Sequence, residues 1–264
     1  MKAPQKILSI VVVGLLTANC GGNPNRSSTL EGRQVSNADK SERSLTTAAR
    51  VSEQIGDYAL AVDYFRKLYE KDQNNLNTIV GLSRNLRYGS EGAKARLFMD
   101  MIVERGVDGP KIRAEYGKAQ LADGFPDRAV GSFTRAISLG DGSWQTYSAL
   151  GAAQDRLENY EGAQEAYATA LQISPENPMI LNNKALSLSL SGKLKAAIEL
   201  LEGAVSHPGA TSILRQNLAM LHALNGDEKA AKSLGRFDLS DNDVQKNLEY
   251  YQAIREGNGA IRRQ

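Results

Sequence analysis

The stretch GDYALAVDYFRKLYEKDQNN at residues 56–75 returns in outline three more times along the chain. It reads GFPDRAVGSFTRAISLGDG at 124–142, ENYEGAQEAYATALQISPEN at 158–177 and GKLKAAIELLEGAVSHPG at 192–209. One position makes the register plain: Ala61, Ala95, Ala129, Ala163, Ala197 and Ala231 stand 34 residues apart. A row twelve residues earlier, Ala49, Ser83, Gly117, Gly151, Ala185 and Ala219, is small throughout. A row four residues later holds Phe65, Met99, Phe133, Tyr167 and Leu201, and ends in Gly235. Abundant alanine and scarce proline favour helices. A fixed period of this length is the mark of a repeat architecture.

The pattern resembles the tetratricopeptide repeat (TPR), a helix–turn–helix unit of this length. The resemblance implies an all-α fold, a right-handed superhelical solenoid of six repeats at 42–75, 76–109, 110–143, 144–177, 178–211 and 212–237. Small residues are expected where helices A and B of a unit cross, and the large row is expected to plug the gap to the next unit. Gly56, Gly124, Gly192 and Gly226 fall at the turn inside a unit, where a left-handed backbone suits glycine. Pro175 falls between units, where a helix must stop. The second unit departs from the aromatic pattern and carries YGSEGAKAR at its turn, while the sixth has a short second helix ending near Leu234-Gly235. Lys184 stands where such repeats bury a leucine, and its stem is expected to snorkel. Residues 238–257 read as a capping helix: Ser240 and Asp243 make a capping box, and Val244, Leu248, Tyr251 and Ile254 form an apolar stripe. Residues 258–264 read as a disordered tail.

Such a solenoid lines a groove with its A helices. By register the inner positions are Arg43, Arg50, Arg84, Arg87, Lys111 and Lys118 in the first three units. In the last two they are Met179, Leu186, Leu190, Ile213, Met220 and Leu224. A groove basic at one end and apolar at the other suits an amphipathic helix with acidic residues or a chain terminus. The plain alternatives are a solvated face for the cations and packing beneath the cap for Leu and Met. Asn182, Asn183 and Asn217 can hydrogen-bond an extended peptide or simply face solvent. The partner-groove candidates are therefore Arg50, Arg84, Arg87, Lys118, Asn183, Leu186, Asn217 and Met220.

Catalytic chemistry finds little to work with. The two histidines, His207 and His222, lack metal-ligand spacing, and there is no phosphate loop or nucleophile elbow. A net charge of +2 gives no electrostatic support for nucleic-acid binding. The expectation is a protein-binding module with no cofactor, no metal and no small-molecule substrate.

The N-terminus points elsewhere. MKAPQK is basic, and Ile7 to Leu16 is an apolar run far shorter than the ~20 residues of a membrane span. This is the layout of an export signal. Leu16-Thr17-Ala18-Asn19-Cys20 resembles a bacterial lipobox and holds the only cysteine. The resemblance implies a signal over 1–19, lipidation of Cys20 and a flexible tether over 20–41; the alternative is ordinary signal cleavage and a soluble periplasmic protein. Gly21, in place of an aspartate, points by the same resemblance to the outer membrane.

A lipoprotein signal joined to six such repeats is similar in architecture to pilotins of type IV pilus secretins. RQNLAMLHALNGDEKAAKSLGRFDLSDNDVQKNLEYYQAI at 215–254 resembles the end of TadD-type lipoproteins of the tight-adherence (Flp) pilus system. Arg215-Gln216-Asn217-Leu218-Ala219, Asp238-Leu239 and Asn247-Leu248-x-Tyr250 carry that resemblance. It implies a lipid-anchored adaptor on the periplasmic face of the outer membrane that captures a segment of the secretin subunit or another assembly component. The alternative is a general periplasmic scaffold for another envelope complex.

Overall fold

The computed structural model describes residues 37–207 and 209–261, with side chains placed over 40–207 and 209–257. The signal, Cys20 and the tether up to residue 36 lie outside the described residues. Thirteen helices and no strand are present among the described residues, so the fold is all-α. They fall into two compact units, one ending at Gly142 and the other beginning at Ser143.

The first unit contains three helix pairs. These are α1 (Asn37–Gln54) with α2 (Tyr58–Lys71), α3 (Leu76–Tyr88) with α4 (Gly92–Glu104), and α5 (Pro110–Ala122) with α6 (Pro126–Ser138). The second contains α7 (Trp144–Arg156) with α8 (Tyr160–Ile173), α9 (Pro178–Leu190) with α10 (Leu194–Val205), and α11 (Ser212–Asn225) with the short α12 (Glu228–Gly235). A final helix, α13 (Asp241–Ile261), packs on α11 and α12. The atypical second repeat forms two regular helices.

The rows seen in the sequence become the core. Ala61, Ala95, Ala129, Ala163, Ala197 and Ala231 are all buried, which lets the helix backbones approach closely. The large row follows two patterns. Phe133 and Tyr167 lie over the glycine of their own repeat: a Cβ on Gly117 would come within 2.7 Å of the Phe133 ring, and one on Gly151 within 2.8 Å of Tyr167. Phe65 reaches forward instead, to Gly81 of the next repeat, where a Cβ would stand 2.3 Å from its ring. Phe65 thus fills the gap to the next repeat, as expected of the row, and Tyr167 does so as well, sharing one core cluster with Ile180 of the fifth repeat. Ala49 carries a methyl where Gly117 and Gly151 leave space for the ring.

The turn inside each repeat uses one conformation. Gly56, Ser90, Gly124, Glu158, Gly192 and Gly226, at 34-residue intervals, all have positive φ, from 59° at Glu158 and 62° at Ser90 to 90° at Gly226. Several second helices then start on a side-chain cap: Asp57 accepts from the Leu60 N–H, Asn159 from Gly162 and Asp227 from Ala230.

The C-terminal cap explains why the large row ends in glycine. Val244 of α13 is buried against Gly235, where a Cβ would meet its Cγ2 at 3.0 Å. Val244 thus supplies from the cap the bulk that Leu201 supplies from within the fifth repeat. The Ser240 hydroxyl accepts from the Asp243 N–H at 3.2 Å and donates to its carboxylate at 2.6 Å. Two boundaries differ from the sequence reading. Helix α1 begins at Asn37, inside the segment read as tether, and α13 continues to Ile261, past the expected end of the cap at 257 and into the segment read as disordered. No helix of the described residues is long and apolar enough to cross a membrane.

Candidate functional site

The A helices of each unit carry a polar ladder on their shared face. In the first unit Glu53 of α1 accepts from the Arg84 guanidinium (Nε at 3.1 Å) and from Asn85 Nδ2 at 2.6 Å, both on α3. One step on, Glu115 of α5 receives Arg87 through two bonds, Nε to Oε1 at 2.8 Å and Nη2 to Oε2 at 3.1 Å. Ser83 also donates to Glu115, at 3.0 Å. Burial alone would raise the Glu115 carboxyl, but Arg87, Lys118 and the bonds from Arg87 and Ser83 hold it below the ordinary carboxylate value. Burial pulls the Lys118 ammonium down, partly offset by Glu115 and reinforced by Arg87.

In the second unit the ladder is neutral except at one point. Asn183 of α9 donates to Ser148 of α7 at 3.2 Å, and Asn217 of α11 donates to the Asn182 carbonyl of α9. Asp155, near the end of α7, accepts from Ser187 of α9 at 2.7 Å and from Tyr167 of α8 at 2.9 Å. Burial pushes its carboxyl up to about 6, although the two hydroxyl bonds pull the other way.

The expected groove residues separate on this face. Arg50, Arg43 and Lys111 are exposed as anticipated. Arg84 is half-buried on Glu53, and Arg87 is 6% exposed and committed to Glu115, so neither adds a free cation. Lys118 is half-buried. The basic half is therefore a charge-paired surface with free cations only at its margin. Asn183 and Leu186, read as open positions, are buried at 7% and 6% exposure. Asn217, Met220, Met179, Leu190 and Leu224 are half-buried, and Ile213 stays 42% exposed. Met220 packs on the core of Leu214, Leu218 and Leu221, the packing alternative to an open apolar groove.

Sequence reasoning missed the acids that hold the ladder, Glu53, Glu115 and Asp155. A signal was present. Glu53 to Asn85, Ser83 to Glu115 and Asp155 to Ser187 are each 32 residues apart, whereas Ser148 to Asn183 and Asn182 to Asn217 are each 35 apart. These offsets flank the repeat length and join neighbouring A helices. Among the described residues no cluster of three metal-ligating side chains exists. His222 instead lies 3.4 Å from Glu202 and 3.8 Å from Asp227.

Known proteins share this repeat architecture. Models of the tetratricopeptide repeat match residues 42–75, 115–178 and 148–213. Tetratricopeptide repeat protein 8 of Caenorhabditis elegans is 25% identical over 158 residues, which is 59% of this chain and 31% of that protein. The chain thus spans about a third of that relative's length. Among solved structures, PilW, a widely conserved type IV pilus biogenesis factor, aligns with a TM-score of 0.68 and 15% identity over 80% of this chain and 98% of its own. A thermophilic TPR protein of Thermus thermophilus aligns with a TM-score of 0.60 and 16% identity over 68% and 98%. At these identities the likeness is one of fold.

Proposed function

We propose, from the premise that this chain belongs to the tetratricopeptide-repeat family of interaction scaffolds, that it is an adaptor for assembling a Flp (tight-adherence) pilus, anchored through Cys20 on the periplasmic face of the outer membrane. Scaffolds of this kind are typically non-catalytic. The observation that carries the reading is the fold it shares with nearly the whole of PilW, itself a pilus biogenesis factor. The resemblance of residues 215–254 to TadD-type lipoproteins and the lone cysteine behind the apolar run support it from the sequence. The client is a segment of the secretin subunit, or of another assembly component, and the anchor carries it to the membrane.

The helix-A face of each unit supplies part of what such a client needs. On the first, exposed Arg50, Arg43 and Lys111 receive acidic residues; on the second, Ile213 with the half-buried Met220 offers apolar contact. The ladder beneath holds neighbouring A helices in register and keeps each face rigid.

Fractionation of pilus-bearing cells tests the reading. Wild type should sediment with the outer membrane and Cys20→Ser should be soluble, with secretin multimers lost or mislocalised. Movement of the protein with secretin unaffected removes the secretin as client. Movement of neither removes the anchor.

A further inference from the structure

Asp155 has no counterpart on the first unit's ladder. Glu53 and Glu115 each face a guanidinium, whereas both partners of Asp155 are neutral hydroxyls. Those hydroxyls come from two further helices, Tyr167 on α8 and Ser187 on α9, so a single carboxyl joins the fourth repeat internally and ties it to the fifth. Tyr167 is 1% exposed and packed on Gly151, so its hydroxyl has no freedom to follow a moving partner. Ser187 is fully buried as well.

The titratable residues on α8 and just before it are all acidic. From α8, Tyr167 and Tyr160 are both titratable; burial first raises each above its ordinary value, followed at Tyr167 by the Asp155 charge and at Tyr160 by the Glu158 charge and then that of Asp155. Glu158 precedes α8, and Glu161 and Glu165 lie on it. From α9 the one charged residue is Lys184, and on α7 Arg156 follows Asp155; neither is among the groups that shift the Asp155 carboxyl. Asp155 is half-buried, and a half-buried carboxylate without a counter-cation costs more as an anion than as an acid.

We propose that Asp155 is a proton-operated latch between α7 and α9, and that the joint between the fourth and fifth repeats is held more firmly in mildly acidic surroundings than at neutral pH. The proton adds to a carboxylate oxygen. Ser187, whose hydroxyl can donate or accept, turns to accept from the new O–H while Tyr167 keeps donating to the other oxygen. The folded-state carboxyl titrates above its unfolded value, so the favourable contribution is complete below about pH 4 and is lost as pH rises through about 6. The consequence for client binding rests on the adaptor reading above, because this joint underlies that face. The latch itself is measured without any client, so the two ideas fail separately.

The chain's single tryptophan, Trp144, lies on α7 beside the Tyr167 cluster and reports this unit. Urea unfolding followed by its fluorescence is compared for wild type and Asp155→Asn at pH 7.5 and 5.0, and the Asp155 carboxyl carbon is titrated by NMR. Relative to Asp155→Asn, the wild-type unfolding constant is expected to fall roughly tenfold on going from the higher pH to the lower. The carboxyl is expected to titrate near 6. A midpoint near 4, or an identical pH response in Asp155→Asn, overturns the latch. Should that variant not fold, Ser187→Ala serves: loss of one donor moves the midpoint upward, and an unmoved midpoint is equally fatal.

Discussion

Arg87 holds both carboxylate oxygens of Glu115 across the joint between α3 and α5, with the two side chains 2% and 3% exposed. The pair is a fastening inside the first unit and is closed to any client. Arg87→Ala strands a buried carboxylate and is expected to cost about 3–5 kcal/mol. Arg87→Met with Glu115→Leu removes both charges and is expected to cost far less. Urea denaturation of the two variants, with circular dichroism as readout, decides this. Equal losses would mean that the pair contributes through its charges as a pair. The carboxyl is held below its ordinary value, so its contribution is present above the unfolded pKa. It is lost as pH falls through the lower folded one.

Glu158 at φ 59° and Ser90 at φ 62° occupy turn positions where four other repeats have glycine. A side chain in that region costs about 1 kcal/mol. Glu158→Gly and Ser90→Gly should each raise stability by up to about that amount, less the added freedom of the unfolded chain. Gly192→Ala, at φ 80°, should do the reverse. Melting temperatures of the three single variants provide the check, and a loss of stability in Glu158→Gly would refute the strain argument.

Gly235→Leu restores the large residue that the row lacks in the sixth repeat. Its side chain would occupy the place of Val244, whose Cγ2 lies 3.0 Å from a Cβ built there. Overpacking of this kind costs about 1–3 kcal/mol. The expected outcome is loss of amide hydrogen-exchange protection along α13, with α7 to α10 still protected. Adding Val244→Gly should return part of it.

The sequence made the architecture legible because one residue class recurs at one spacing. The alanine row and the small row each mark a helix crossing, and a crossing admits nothing larger. The ladder was hidden for the opposite reason. Its rungs tolerate several chemistries, so Asn85 and Ser187 share a register without sharing a side-chain type. Arg84 and Arg87 read as free cations because an A helix alone does not say which acid of the neighbouring helix stands opposite. Leu186 and Asn183 read as groove residues for a similar reason: periodicity tells which side of a helix a residue is on and not how closely the next helix covers it.

Gly235 and Val244 together also bear on how such a chain changes length. Whole 34-residue cassettes inserted upstream of residue 212 would find the same alanine contacts and the same left-handed turn on either side. A cassette appended after Gly235 would find its seat taken by α13. Growth of this array is therefore internal by construction, and the sixth repeat travels with α13 as one indivisible pair.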